Sequence, residues 1–339
     1  MEARDSAASS DREAASVTVV VVAPNLGTDL SWVASIDPRV RVLDGNSPEQ
    51  RDELLAQADV LLVGYPVPKV LAARSPQVKW AHHTQAGVSN LLSSDLWDSP
   101  VMLTSGRGNV AATGIAEYVI AAAFHFARGL HEATLQKRDG EFDRGRYQMF
   151  TLAGSTMGVI GLGGIGREVA RLARAVGMRV VATRRSVASE GQRVEGVDLV
   201  LPPGQLAELA QQSEVVAVCA QLTPETRGIV DATVFAAMKP SAILVNVARG
   251  ELVDEQALVR ALQQEQLRGA VLDVYEGELD GRPPRPELIE LPQVLLTPHV
   301  SGSGDTSVGE RTKELFTENL RRFLDGRELL NVVDRERGY

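Results

Sequence analysis

The sequence predicts an α/β protein with two Rossmann-like or flavodoxin-like domains built on parallel sheets, one domain being inserted into the other. Short runs of valine, isoleucine and leucine alternate with amphipathic stretches along the chain, which is typical of βαβ units whose sheets are covered on both faces. Two such series follow one another within 339 residues, a length that exceeds what one hydrophobic core usually holds. We therefore expect two domains of this class.

The first series of predicted strands begins at Val17. It comprises Val17–Val22, Val40–Leu43, Val60–Val63, Val78–Ala81 and Val101–Thr104. A helical pattern, Pro48–Ala58, lies between the second and third of these strands. Residues 1–16 are charged and rich in alanine and serine, so we expect a flexible leader there rather than a signal peptide.

The second series of predicted strands follows a long apolar segment, Gly114–Leu130. Its strands are Met157–Gly161, Arg179–Ala182, Leu199–Leu201, Val215–Val218, Ala242–Asn246, Ala270–Asp273 and Val294–Thr297. Glu117 and Arg128 interrupt the apolar segment, so it predicts a buried helix rather than a membrane span.

Composition and charge limit the kind of partner. The formal net charge is −9 and lysine and arginine form no runs, which argues against a nucleic-acid partner. The only cysteine, Cys219, cannot form an intrachain disulfide, so we expect a cytoplasmic protein without a membrane partner. A lone cysteine and the lack of an HExxH pattern argue against a metal site. A small-molecule substrate is therefore favoured.

A glycine-rich motif predicts a dinucleotide site in the second series. The segment Gly161-Leu162-Gly163-Gly164-Ile165-Gly166 follows an apolar strand and opens an amphipathic helix, which is the order that a Rossmann βαβ unit requires. Gly161 allows the tight turn, Gly163 lets the backbone approach a pyrophosphate, and Gly166 lets helix and strand pack closely. The helix N-terminus adds free N–H groups and a favourable dipole.

The division of the chain follows from the position of this motif. We predict that residues 111–302 form the dinucleotide-binding domain and that residues 17–110 and 303–339 form the substrate domain. The last helical pattern, Thr306–Leu324, can pack back on the first series of strands, which makes the dinucleotide-binding domain an insertion.

The end of the next predicted strand indicates which dinucleotide binds. An acid at this position usually accepts a hydrogen bond from the adenosine ribose of NAD, but this chain has Arg184, Arg185 and Ser186 and no carboxylate. Guanidinium groups beside a hydroxyl suit a 2′-phosphate. We therefore predict NADP(H) as the preferred cofactor and NAD(H) as the second choice.

Three strand ends of the second series carry polar residues that suit one reaction. Arg249 follows one strand, Glu276 and Glu278 lie beyond the strand that ends at Asp273, and His299 follows the last strand. Ligands bind beyond the carboxyl ends of parallel strands. An arginine can hold a carboxylate, a histidine can exchange a proton, and an acid can fix the tautomer of that histidine. The trio predicts hydride transfer between a nicotinamide and C2 of a small 2-oxo or 2-hydroxy acid.

Motifs spread over nearly the whole chain resemble the D-isomer-specific 2-hydroxyacid dehydrogenase family. The matching segments are Leu152–Gly166, Leu222–Gly228, Val245–Leu252, Leu272–Glu278 and Leu296–Gly302. The resemblance implies that Arg249 binds the substrate carboxylate, that His299 is the acid/base and that Glu278 is its partner. It also implies glyoxylate or hydroxypyruvate as substrate, the D isomer of the hydroxy acid and a homodimer.

The resemblance implies backbone contacts as well. The backbone of Ala86, Gly87 and Val88 is expected to receive the substrate carboxylate. Asp273 and the backbone of Val247 are expected to lie beside the nicotinamide carboxamide.

Two features depart from the family pattern. Leu279 follows Glu278 where the family usually has proline, so Glu276 stays an alternative partner of the histidine, although the spacing from Asp273 favours Glu278. His82 and His83 stand beside the glycine loop, where they could touch a substrate or cap a strand.

Other functions are compatible with the same pattern. A related fold serves corepressors that bind a dinucleotide as a sensor, and fold alone does not decide function. An arginine site of this kind could also bind phosphite, another small anion. The apolar segment Ala111–Leu130 is a candidate dimer surface, because an apolar helix has to be covered.

Overall fold

The computed structural model describes residues 16–108, 110–185 and 194–338. These residues form two compact units. The first unit consists of residues 16–85, 90–105 and 313–333, and the second of residues 86–89, 106–312 and 334–338 where described. The division differs from the predicted one in that the described residues of 86–89, 106–110, 303–312 and 334–338 belong to the second unit. Of the predicted leader, residues 1–15 lie outside the described residues.

A parallel sheet of five strands forms the centre of the first unit. Its strands are β1 (Val17–Val22), β2 (Val40–Asp44), β3 (Val60–Val63), β4 (Trp80–His83) and β5 (Met102–Ser105), in the order β2-β1-β3-β4-β5. Two helices lie between these strands, α1 (Ser31–Ala34) and α2 (Pro48–Leu55). Strand β4 begins two residues later than predicted, because Val78 donates its N–H to Ser75 in a turn. The valine-rich strands β1 and β3 are buried, as both faces of a parallel sheet require.

A second parallel sheet, of seven strands, forms the centre of the second unit. Its strands are β6 (Thr156–Ile160), β7 (Arg179–Thr183), β8 (Leu199–Leu201), β9 (Val215–Val218), β10 (Ile243–Asn246), β11 (Gly269–Leu272) and β12 (Val294–Leu296). Their order is β12-β11-β10-β9-β6-β7-β8. The chain therefore changes direction across the sheet between β6 and β9, and ligands bind outside the carboxyl ends of strands at such a switch point.

Helices cover the second sheet and complete the α/β class that the sequence predicts. They are α3 (Ala112–Ala127), α4 (Leu130–Asp139), α5 (Gly164–Ala175), α6 (Leu206–Gln212), α7 (Ala232–Ala237), α8 (Glu255–Gln263) and α9 (Pro286–Glu290). The predicted single helix Gly114–Leu130 is divided between α3 and α4, because Gly129 adopts a left-handed conformation with φ 66°. None of the described helices has both the length and the hydropathy needed to cross a bilayer.

The last helix, α10 (Val308–Leu324), supplies apolar side chains to the core of the first unit. Phe316 and Leu320 are completely buried there, and the Phe316 ring stacks on Trp80 with 5.4 Å between centroids. The prediction that the last helix packs on the first series of strands is confirmed. The first unit therefore combines the first part of the described chain with residues 313–333 near its end, and most of the second unit is an insertion between these two parts.

Candidate active site

The glycine-rich turn after β6 fits a dinucleotide. Gly161 has φ 95°, and a Cβ on it would lie 2.6 Å from Cα of Ala220. A Cβ on Gly166 would overlap the carbonyl oxygen of Gly161. Both positions therefore require glycine. A Cβ on Gly163, in contrast, would meet no atom of the described residues within 4 Å, so there is space beside this backbone for a pyrophosphate.

The N-terminus of α5 adds donors to this turn. Gly163 is the N-cap residue and, as a glycine, provides no capping side chain, and the first N–H groups of a helix can bind a phosphate. Gly164 is enclosed by the backbone of Gly108, which a Cβ would overlap. The Ile165 side chain packs against the core of the second unit. Of the predicted cofactor contacts, Gly164 and Ile165 can therefore contribute only backbone groups.

Two arginines follow β7. Arg184 is half-buried and Arg185 is exposed, while Ser186 lies outside the described residues. Thr223 lowers the pKa of the Glu225 carboxyl by donating its hydroxyl to it, and the positive charge of Arg185 lowers that pKa further. The Glu225 carboxylate, in the turn after β9, is therefore within electrostatic reach of Arg185.

Arg249 is held in place by the end of strand β10. The Asn246 side chain accepts the N–H of Ala248 at 3.1 Å and donates to the carbonyl of Arg249 at 2.9 Å. The guanidinium then donates through Nε to the Ser89 hydroxyl at 2.8 Å and through Nη1 to the Ala248 carbonyl at 2.6 Å. These bonds fix both the turn and the plane of the guanidinium.

The loop 86–89 lies directly against this guanidinium. A Cβ on Gly87 would overlap Nη2 of Arg249, so a side chain at this position would displace the guanidinium. The Val88 side chain is buried, which leaves its backbone for any ligand contact. The structure thus brings Arg249 together with the segment that the resemblance connects with carboxylate binding.

His299 and Glu278 form a hydrogen-bonded pair. Oε1 of Glu278 lies 2.7 Å from Nδ1 of His299. The imidazole is 44% exposed and the carboxylate only 10%, so the acid supports the ring from its inner side. Glu278, and not the alternative Glu276, is the acid in contact with the histidine. The N–H of Glu276 instead donates to Glu255 at 2.7 Å.

The three groups share one electrostatic environment. Burial lowers the pKa of Arg249, whereas the negative charges of Glu278 and then Glu251 raise it. Glu278 therefore stabilises the guanidinium as well as contacting His299. Within the second unit, Glu278 thus contacts His299 and lies close enough to Arg249 to influence its charge.

Asp273 shapes the turn that presents His299. Its carboxylate is completely buried and accepts the N–H groups of Val300 at 2.8 Å and Ser301 at 2.9 Å. It also accepts the Thr297 hydroxyl at 2.6 Å, and its own carbonyl accepts the N–H of His299 at 2.8 Å. These bonds hold His299 at φ 54°, an uncommon backbone conformation. The described hydrogen bonds of the Asp273 side chain thus go to this turn. The contacts of Asp273 and of the buried Val247 with the nicotinamide carboxamide stay predictions.

Sequence reasoning missed several supporting groups. Tyr118 on α3 lies 2.6 Å from the Thr297 hydroxyl and so extends the network of Asp273. Ser89 and Asn246 orient Arg249. Asn246 could have been found as the last residue of a buried strand, whereas Tyr118 and Ser89 carry no local signal.

His82 and His83 are buried within β4, so they do not cap the strand. Nδ1 of His82 lies 2.7 Å from the Thr104 hydroxyl, and Nδ1 of His83 lies 3.2 Å from the carbonyl of Val63. Burial, followed by the neighbouring His83, lowers the pKa of His82 to about 3. The His82 imidazole is therefore neutral at ordinary pH.

A family model matches this part of the chain. Residues 120–301 match the D-isomer specific 2-hydroxyacid dehydrogenase NAD binding domain. The chain is 32% identical over 298 residues to D-3-phosphoglycerate dehydrogenase of Methanocaldococcus jannaschii, which covers 87% of this chain and 55% of that protein. The chain thus spans about half the length of this relative.

Two further proteins align with most of this chain and over most of their own length. Glyoxylate reductase of Thermococcus onnurineus is 32% identical over 269 residues, which is 77% of this chain and 78% of that protein. The structure also resembles that of an NADPH-dependent glyoxylate/hydroxypyruvate reductase from Sinorhizobium meliloti in complex with NADP and sulfate. The TM-score is 0.81 at 25% identity, covering 95% of this chain and 100% of the other.

Proposed function

The chain belongs to the D-isomer specific 2-hydroxyacid dehydrogenase family, and we propose that it interconverts a small 2-oxo acid and the D-2-hydroxy acid with NADP(H). The observation that carries the proposal is the position of Glu278, whose carboxylate contacts His299 and stabilises the charge of Arg249. One acid thereby links a proton carrier to a carboxylate-binding cation. That combination is what reversible reduction at C2 requires.

In this proposal Arg249 binds and orients the substrate. Its guanidinium plane is fixed by Ser89 and Ala248, and Nη2 lies against Gly87. A substrate carboxylate can bind to this edge of the guanidinium and to N–H groups of the loop 86–88. Because Arg249 is partly desolvated, its attraction for an anion is stronger than that of an exposed arginine.

His299 exchanges the proton. Nδ1 is held by Glu278, so Nε2 is the ring nitrogen directed to the substrate oxygen. During reduction Nε2 donates its proton to the oxygen on C2, and during oxidation it takes the proton of the hydroxyl. A nicotinamide, when bound, would supply or accept the hydride. Glu278 fixes the tautomer and stabilises the imidazolium that oxidation creates.

Preference for NADP(H) is supported by Arg184 and Arg185. They stand after β7, where a 2′-phosphate would lie, and guanidinium groups recognise phosphate through paired hydrogen bonds. The similarity to the Sinorhizobium meliloti reductase, which is named NADPH-dependent, supports the same cofactor. Glyoxylate or hydroxypyruvate is proposed as the oxidised substrate from the names of that protein and of the Thermococcus onnurineus relative.

A homodimer is part of the proposal. Large apolar side chains are exposed on α3, at the start of α4 and in the segment that follows, namely Phe124, Leu130, Phe142 and Met149. A second copy of the chain would cover them. Light scattering should give twice the mass of the chain, and a monomer at micromolar concentration would contradict this part of the proposal.

Steady-state kinetics test the function. Glyoxylate, hydroxypyruvate, pyruvate and 3-phosphohydroxypyruvate should be assayed with NADPH and NADH, and phosphite with NADP⁺ and NAD⁺. We expect reduction of a 2-oxo acid with a higher kcat/KM for NADPH. Equal or better efficiency with NADH would overturn the cofactor preference. Binding of NADPH without any turnover would support a dinucleotide-sensing protein instead.

A double substitution sharpens the cofactor test. R184A/R185A removes both guanidinium groups from the end of β7 and should raise the KM for NADPH by about tenfold or more, the value of one or two charge-assisted hydrogen bonds. The KM for NADH should change little. Arg171→Ala is the control, because Arg171 is an exposed arginine of α5 paired with Glu168. An equal effect of both variants would reject a 2′-phosphate contact.

A further inference from the structure

Glu255 is a buried acid whose position no part of the proposed mechanism explains. It is the first residue of α8, where an acid is normally exposed and interacts with the helix dipole. Here the side chain is only 4% exposed. Burial raises the pKa of its carboxyl, while the N–H of Glu276 and the charge of Arg285 lower it. A buried carboxylate needs such partners, and both partners lie in the segment that carries Glu278.

One peptide unit receives the hydrogen bond of Glu255. The N–H of the Tyr275–Glu276 peptide donates to Oε1 of Glu255 at 2.7 Å, and Arg285 pairs with Oε2 at 3.1 Å. On the other side of the same peptide, the Tyr275 carbonyl accepts the N–H of Glu278 at 3.3 Å. The peptide thus connects Glu255 to the turn that carries Glu278, whose side chain contacts His299.

The same peptide also rests on the turn that carries Arg249. A Cβ on Gly250 would overlap the carbonyl carbon of Tyr275 and the nitrogen of Glu276, so the two backbones are in direct van der Waals contact. Gly250 follows Arg249 in the chain. A shift of the Tyr275–Glu276 peptide would therefore displace both the guanidinium and the acid beneath His299.

We propose that Glu255 is a positioning residue: by fixing the Tyr275–Glu276 peptide between the turns of Arg249 and Glu278, it keeps these two side chains in their relative positions. This inference rests on the proposed function. Glu255 touches neither the substrate nor the cofactor in this scheme. It acts through the peptide, so its loss should affect geometry at both side chains at once.

The chain provides a matched control in Glu214. This carboxylate also accepts a backbone N–H, that of Thr156 at 2.7 Å, and also pairs with a cation, Lys239. Thr156 begins β6 and Glu214 precedes β9, so the control lies at the amino ends of the strands. The two acids have the same kind of partners at opposite edges of one sheet.

The test compares Glu255→Gln with Glu214→Gln. The E255Q amide places a donor against Arg285 and removes the charge that holds the peptide. We expect kcat to fall by about tenfold to a hundredfold and KM for the 2-oxo acid to rise, as misplaced catalytic groups produce. NADPH affinity should be unchanged. E214Q should lower the Tm without changing kcat or KM.

Hydrogen–deuterium exchange supplies a readout that does not depend on turnover. In cofactor-free E255Q, residues 273–280 should exchange about tenfold faster, as loss of a charge-assisted bond predicts. E214Q should leave that segment unchanged. If E255Q does not fold, Arg285→Met replaces it with the same readouts.

The positioning role would be overturned if E255Q showed the wild-type kcat, the wild-type exchange in residues 273–280 and a loss of Tm equal to that of E214Q. A wild-type protein that reduces no 2-oxo acid would instead overturn the proposed function, while the exchange measurement would still decide whether Glu255 holds this segment.

Discussion

Two imidazoles at the two sheets show how environment changes the chemistry of one side chain. His82 lies inside β4 of the first unit, completely buried beside Trp80 and Phe316, with Thr104 on Nδ1. His299 lies on a turn after β12 of the second unit, partly exposed, with Glu278 on Nδ1. The hydroxyl gives His82 no charge compensation, so burial keeps that ring neutral.

The difference between the two rings shows that an imidazole can carry a proton for a reaction only when two separate conditions are met. It needs solvent or ligand access to one nitrogen, and it needs an acid on the other. His82 satisfies neither condition and His299 satisfies both. Four substitutions test whether this contrast is real.

Replacing His299 should have the largest effect. His299→Asn removes the proton donor while keeping a side chain that can bond to Glu278, and turnover should fall by about 10²- to 10⁴-fold, as for loss of a general acid or base. NADPH binding, measured by fluorescence titration, should persist. Retained turnover would show that another group carries the proton.

Replacing Arg249 should have the next largest effect. Arg249→Lys keeps the charge but loses the planar donor set and the bond to Ser89. We expect kcat/KM for the 2-oxo acid to fall by about a hundredfold, the value typical of a misplaced binding group. The same kcat/KM with an unchanged KM would exclude Arg249 as the carboxylate site.

Removing the charge of Glu278 should have a smaller effect. In Glu278→Gln the amide can still bond to Nδ1, but no negative charge stabilises the imidazolium that oxidation creates. Turnover, measured in steady-state assays of both directions, should fall by about tenfold. Unchanged turnover would indicate that Glu278 serves only packing.

Replacing His82 should leave turnover within about twofold of the wild type and alter stability instead. The pKa of His82 is about 3 in the folded protein and 6.5 as its ordinary value. Below pH 6.5 the unfolded chain binds a proton that the folded chain does not, so stability falls as pH decreases toward 3. The decrease in the free energy of unfolding approaches ~1.4 kcal/mol per pH unit.

Urea unfolding of the wild type and His82→Gln at pH 6.5 and 5 measures this effect. The variant should lack the His82 share of the decline, so the stability difference between the two proteins should change with pH. A constant difference for His82→Gln would contradict a neutral, buried His82.

Local sequence signals predict much of the fold and part of the site. Valine-rich runs mark most strands to within two residues, because burial of both sheet faces demands apolar side chains. The glycines of the Gly161–Gly166 turn are predictable because a positive φ or a close backbone approach excludes other residues. Arg249, Glu278 and His299 could be selected because carboxyl ends of parallel strands gather ligand-binding groups.

Other features could not be read from the chain. Spacing from Asp273 favoured Glu278 over Glu276, but only the turn shows that the Glu278 carboxylate contacts His299 while the N–H of Glu276 donates to Glu255. Ser89 bonds to Arg249 from 160 positions away. The break between α3 and α4 at Gly129 went unpredicted because isolated glycines are tolerated in helical patterns.

The sequence by itself determined the element types, the dinucleotide turn and the chemical groups available for the reaction, because these depend on side-chain type and on contacts within a few residues. Only the tertiary structure decided which hydroxyl orients Arg249, which histidine is buried and how Glu278, the acid that the sequence favours, is turned toward His299. These outcomes depend on burial and on hydrogen bonds between distant segments, and such contacts arise only when the sheet has aligned its strands.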